Sequence, residues 1–325
     1  MPTILDPLPA NVQAEVNALR AALDQSIPVK MPGQNLLIGT WNLRAFGSLT
    51  RKWTAASTDS PKRDLRAAVA IAEILSRFDV VAIQEAVGDL RALRDILKYL
   101  GDKWGFLMTD ENLGDAGNNE RMVFLFDSTR VKPSGLACEL VLPPEWLAEV
   151  SPDAMTSQFA RTPYAASFVA GDKTFILVTL HVLYGDASAD RIPELKGLAR
   201  WMSAWAKRAD DWEHNLLALG DFNIDRKDDL LWQAFTSTGL TVPANLETVP
   251  RTIFSNPLKP ALDKFYDQIA WFTSTVGLPR LSLEYIKGGG FDFMPFIYRD
   301  MSLTKSSISF RMSDHYPLWV EFSLA

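Results

Sequence analysis

The chain has 325 residues, 33 Lys+Arg against 39 Asp+Glu for a formal charge of −6, 47% hydrophobic and 22% charged residues, and one cysteine. That composition excludes a disordered chain, and the acidity argues against a nucleic-acid coat protein, whose footprint is basic. No apolar run nears the roughly 20 residues of a membrane helix. Residues 1–30 carry no apolar signal core, and the lone Cys138 fits a reducing, cytoplasmic setting.

In chain order, Val12, Val16, Leu19 and Leu23 share one face and predict an amphipathic helix at 11–23, within an N-terminal extension over 1–30. It is expected to dock on the single domain assigned to 31–325. Apolar runs at 36–41 and 80–84 predict buried strands, with a helix at 64–78 between them, where Leu65, Ala68, Val69, Ala72 and Leu75 recur at helical spacing. Further helices are expected at 90–100 and 192–208, and further strands at 122–126, 174–181, 216–220, 268–272 and 317–322. Sustained alternation of this kind predicts an α/β fold. The Pro/Ser-rich stretches 141–163 and 243–263 read as loops of the same domain, because bulky apolar residues interrupt them.

Polar residues stand at the ends of these strands: Asn42, Gln84-Glu85, His181 and Asp221-Phe222-Asn223 close strands, while Asp267 and Asp314-His315 introduce them. In layered α/β folds, loops at one end of the strands are where sites form. Two of the three histidines, His181 and His315, stand there, and imidazoles titrate near neutrality and can move protons in both directions. The third, His214, reads as a loop or helix-end residue. Neither zinc spacing nor cysteine pairs are present. Glu85, Asp221, Asp314 and the amides of Asn42 and Asn223 form a hard oxygen set suited to Mg²⁺, with Mn²⁺ or Ca²⁺ as alternatives. A divalent ion beside two imidazoles is equipment for phosphate-ester hydrolysis.

The ordered motifs Thr40-Trp41-Asn42, Gln84-Glu85, Gly220-Asp221-Phe222-Asn223 and Ser313-Asp314-His315-Tyr316-Pro317 resemble the endonuclease/exonuclease/phosphatase superfamily. Asn42-Leu43-Arg44-Ala45-Phe46-Gly47 and Glu120-Arg121 followed by Phe124-Leu125-Phe126 are most similar to the deoxyribonuclease I branch. The resemblance covers roughly residues 36–323. It implies a four-layer α/β sandwich, two central mixed sheets flanked by helices. It implies catalytic roles for His181 oriented by Glu120, for His315 oriented by Asp267, and for Asp221 and Asn223 at the scissile phosphate. It also implies a metal on Glu85 with Asn42 or Asp314, and substrate contacts from Arg44 and Arg161.

The expected activity is metal-dependent endonucleolytic cleavage of DNA with little sequence preference, leaving a 5′-phosphate and a 3′-hydroxyl. Neither a membrane nor an obligate protein partner is expected. The alternative reading keeps this hydrolytic core on a small or lipid phosphodiester; Val182-Leu183 after the histidine weigh against a sphingomyelinase-like form. Four departures from the resembled branch stand out: Cys138 alone where its secreted members carry paired cysteines, a missing structural calcium loop at 251–264, Asn118 where that branch has Tyr, and a longer basic loop between Leu49 and Asp64.

Overall fold

The computed structural model describes residues 1–113, 117–146, 158–208, 215–273 and 281–325. Twelve strands over these residues form two six-stranded mixed sheets. The first contains β1 (Asn35–Phe46), β2 (Val80–Val87), β3 (Trp104–Met108), β4 (Glu120–Asp127), β11 (Glu284–Gly290) and β12 (Leu318–Ser323), in the order β11-β12-β1-β2-β4-β3. The second contains β5 (Lys132–Glu139), β6 (Tyr164–Ala170), β7 (Lys173–His181), β8 (Leu216–Asp221), β9 (Leu240–Thr241) and β10 (Asp267–Phe272), in the order β5-β6-β7-β8-β10-β9.

Each sheet is built around one parallel pair, β1–β2 in the first and β7–β8 in the second, with antiparallel strands on either side. Central strands of this kind are buried on both faces, which is why their sequences read as continuous apolar runs. Leu36, Ile38, Val80, Ala82 and Phe124 of the first sheet pack against Leu177, Leu219 and Ile269 of the second in the middle of the sandwich.

The helices form the outer layers. On the first sheet lie α1 (Ala10–Ser26), α2 (Leu65–Leu75) and α3 (Arg91–Leu100), which bury Leu37, Trp41, Val81 and Ile83. Asp64 caps α2 by accepting from Ala67 N at 3.0 Å. The N-terminal helix docks as its periodicity suggests: Val12, Val16, Leu19 and Leu23 are buried, and Arg20 pairs with Glu73 of α2. On the second sheet lie α4 (Ile192–Ala206) and α5 (Leu230–Thr236), and a short α6 (Lys305–Ser309) precedes β12. The result is the four-layer sandwich. Trp212 and His214 lie outside the described residues. No helix among the described residues is long and apolar enough to cross a membrane.

Candidate active site

The two sheets present equivalent ends of equivalent strands to one another. Asn42 and Glu85 stand near the ends of β1 and β2, His181 and Asp221 close β7 and β8, and Glu120 and Asp267 open the antiparallel neighbours β4 and β10. Local irregularities aim these side chains. The ladder slips register just after Asn42 and again between Ile83 and Ala86, and Glu85 takes a left-handed conformation (φ 62°). Bulges of this kind re-aim side chains at sheet edges. Gly220 has φ 143°, and a Cβ there would stand 2.2 Å from the carbonyl oxygen of Leu180, so β7 and β8 approach closely only because this residue has no side chain.

Three carboxylates and two imidazoles converge. His181 Nδ1 meets Glu120 Oε2 at 2.6 Å, and His315 Nδ1 meets Asp267 Oδ2 at 2.6 Å. These are the two expected imidazole–carboxylate contacts. The opposite ring nitrogens both face Asp221 Oδ2, at 3.6 Å from His181 Nε2 and 3.8 Å from His315 Nε2. Asn42 Nδ2 donates to the same oxygen at 2.9 Å, and the Asn223 amide donates to Asp221 Oδ1 at 2.9 Å. Asn223 is itself fixed in a left-handed turn by donating from Nδ2 to Val182 O. All of these side chains but Glu85 and Asp314 are buried.

Burial and charge oppose one another at every titratable group here. Desolvation disfavours the imidazolium of His315, but Asp267 and Asp221 outweigh it and push its pKa up to about 10. His181 is raised for the same reasons: burial opposes, while Glu120 and Asp221 prevail. Burial pushes Asp267 up to about 6 even beside His315. Asp221 and Glu120 resist burial and are held below the usual carboxylate range, Asp221 by both imidazoles and Asn42, Glu120 by His181 and Arg161.

The remaining expected residues fall around this centre. Glu85 accepts from the Ala45 amide at 2.9 Å. Asp314 pairs with Arg44 at 3.3 Å. Arg44 is partly exposed and lies over the Phe310 ring, whereas Arg161 is buried and pairs with Glu120 Oε2 at 2.9 Å, behind His181. Asn118, which replaces the tyrosine of the resembled branch, donates to Glu120 Oε1 at 2.8 Å.

Two sets of side chains fit a hard cation. Asn42 Oδ1 is buried without a hydrogen-bond donor, as a carbonyl reserved for a cation would be, and Glu85 follows the residue that Asn42 faces across the β1–β2 ladder. Among the described residues, Asp221, Asp267 and His315 also bring one ligand atom each within 4.8 Å of one another, and Asp267 Oδ1 lacks a donor.

With this geometry in place, residues 39–315 match the endonuclease/exonuclease/phosphatase family. The chain belongs to that family. Membership points to a hydrolase of phosphate esters. A "Deoxyribonuclease" from Thioalkalivibrio sp. (strain K90mix) is 28% identical over 200 residues, a match covering 60% of this chain and about half (48%) of the relative's length. Similar solved structures include a mannosyl-6-phosphatase from Bacteroides thetaiotaomicron (TM-score 0.57, 16% identity, 88% of this chain and 99% of that one). They include the human Nocturnin catalytic domain with bound sulfate (0.58, 17%, 93% and 98%) and D. rerio TDP2 with a single-strand DNA product (0.53, 15%, 89% and 98%). At such identities the likeness shows the family's fold.

Several residues assigned no role from the sequence support the site. Ser313 Oγ donates to Asn42 O and accepts from the amides of Arg44 and His315, stitching β1 to the His315 turn. Gln84 donates to Thr179 Oγ1 at 2.8 Å, joining the sheets beneath the site. Glu194 accepts from Ala160 N and Leu183 N, tying the segments of Arg161 and His181 together. Ser313 and Gln84 lie inside the ordered sequence motifs without a role of their own there, and Glu194 lies outside any motif.

Proposed function

We propose that this protein is a divalent-metal-dependent DNA endonuclease of low sequence specificity that leaves 5′-phosphate and 3′-hydroxyl ends. One observation carries the reading: two imidazoles, each with a carboxylate on Nδ1, turn their Nε2 atoms toward one buried carboxylate, Asp221. Paired proton-transfer groups on either side of a single point suit in-line displacement at phosphorus. One imidazole takes a proton from the attacking water as its oxygen bonds to phosphorus. The other returns a proton to the 3′ oxygen as the phosphorus–oxygen bond breaks. Glu120 and Asp267 fix the ring tautomers and stabilise the imidazolium forms, as second carboxylates do behind catalytic histidines.

Mg²⁺ held by Glu85 with Asn42 or Asp314 would offset charge on the phosphoryl oxygens. Asp221 and Asn223 position the phosphate, and Arg44 at the rim contacts the strand. The deoxyribonuclease name of the sequence relative supports DNA as the substrate.

The test is nicking of supercoiled plasmid with Mg²⁺ or Mn²⁺, beside EDTA and the His181→Ala and His315→Ala variants. Metal-dependent nicking that disappears in both variants is the expected outcome. A folded protein that leaves plasmid intact but cleaves bis-p-nitrophenyl phosphate would replace DNA with a small or lipid phosphodiester.

A further inference from the structure

Two exposed aromatic rings linked through their neighbours to this site are each backed by an arginine, one following a strand of the second sheet and one preceding a strand of the first. Phe310, between α6 and β12, is 51% exposed, and the Arg44 guanidinium lies 4.1 Å from its ring centre. Arg44 in turn bonds Ser309 Oγ and pairs with Asp314, the neighbour of His315. Tyr184, three residues past His181, is 52% exposed, and the Arg191 guanidinium lies 4.3 Å from its ring centre. Arg191 donates to the carbonyls of Tyr184 and Asn223, which fixes that ring to the Asp221–Asn223 turn. Tyr184 also meets Tyr266 edge to face, and Tyr266 stacks on the His315 ring.

Single exposed aromatics are ordinary and mean little. Here both rings are held in place by a cation and both lie within a few residues of the catalytic histidines. The charge on the chain also decides between ways of holding a polynucleotide. The chain carries a net charge of −6, and the two arginines nearest the histidines, Arg44 and Arg161, are paired to carboxylates, which weakens their grip on the phosphates of a duplex. Aromatic platforms recover affinity from base faces instead, and those faces are accessible in unpaired strands.

We infer that Phe310 and Tyr184 are stacking platforms for unpaired bases flanking the scissile phosphate, which makes single-stranded or frayed DNA the preferred substrate. This rests on the nuclease reading of the same site. The experiment measures kcat and KM on a fluorescent oligodeoxythymidine 12-mer, on the same length of strand with abasic tetrahydrofuran residues, and on a blunt duplex. The wild type should favour the thymidine strand over both others by roughly tenfold or more in KM, the scale of one stacked base. Phe310→Ala and Tyr184→Ala should each raise KM for the thymidine strand toward the abasic value with a smaller change in kcat, and Phe310→Trp should restore it. Phe106→Ala, an exposed aromatic on β3, serves as the unaffected control. Equal cleavage of base-bearing and abasic strands, or a duplex cut as well as a single strand by wild type and variants alike, overturns the platforms and leaves the nuclease reading standing. Cleavage of bis-p-nitrophenyl phosphate with no cleavage of any strand overturns both.

Discussion

Asn42 donates from Nδ2 to Asp221 Oδ2 at 2.9 Å, so a strand of one sheet is bonded to a strand of the other at the point both imidazoles face. The amide is a donor toward Asp221 and, through the orphaned Oδ1, an acceptor toward anything cationic. Asn42→Ala should lower turnover roughly 10–100-fold, the usual cost of removing such a supporting partner. Asn42→Asp should be worse, because it sets a second carboxylate against one that is already buried. Steady-state rates on plasmid and on bis-p-nitrophenyl phosphate test this; an Asn42→Ala enzyme of wild-type rate would remove the cross-sheet bond from the site.

The His315–Asp267 pair makes stability depend on alkaline pH. A folded-state pKa raised from 6.5 to about 10 means the folded protein binds a proton that the unfolded chain has released. The stabilisation is therefore complete below pH 6.5 and disappears as pH rises through about 10. Burial pushes Asp267 up to about 6, so the pair is imidazolium–carboxylate between roughly these two values and titrates as a unit. Urea midpoints measured in EDTA should fall from pH 6.5 to 10. Asp267→Asn removes the main charge that raises His315 and should flatten that slope; a slope unchanged in the variant would assign the pH dependence elsewhere.

Metal binding can be placed between the two donor sets. If Asn42 and Glu85 hold the ion, Glu85→Gln should raise the Mg²⁺ or Mn²⁺ concentration needed for half-maximal activity, and thermal midpoints should lose most of their metal-induced rise. Asp267→Asn should leave that rise largely intact. The reverse pattern would place the ion on Asp221, Asp267 and His315, the cluster whose ligand atoms lie within 4.8 Å of one another.

The legible parts of the fold were its most buried strands. The runs that became β1, β2, β4, β7, β8, β10 and β12 are apolar on both faces, and a run of that kind declares itself without any partner. The strands that escaped notice are edges or small-residue strands. In β5, the residues alternate between exposed and half-buried with Pro133 and Gly135 inside; β11 ends in Gly288–Gly290; β6 is Tyr-Ala-Ala-Ser-Phe-Val-Ala, which packs well but has weak intrinsic strand preference. The site followed the same division. His181, Asp221 and Asn42 ended readable strands and His315 introduced one, so their grouping was anticipated. The burial of Arg161 behind His181 was not, because an arginine in a loop carries no sequence mark that distinguishes a phosphate contact from a carboxylate partner.

Gly220 supplies a test of how tightly the strands that carry His181 and Asp221 must approach. Its φ of 143° is unfavourable for any residue with a side chain, and an added Cβ would meet a backbone carbonyl, which cannot rotate out of the way as a side chain would. Gly220→Ala should therefore cost about 2–4 kcal/mol of stability. The same change forces β7 from β8 where Leu180 pairs with Gly220 and His181 with Asp221, so the distance between an imidazole and the carboxylate it faces must change too. Relaxation of that kind should lower kcat at temperatures where the variant is still folded, as circular dichroism would verify. A variant that is destabilised yet fully active below its melting transition would show that the 3.6 Å spacing of His181 Nε2 and Asp221 Oδ2 tolerates slack, and that proton transfer rather than this spacing limits the rate.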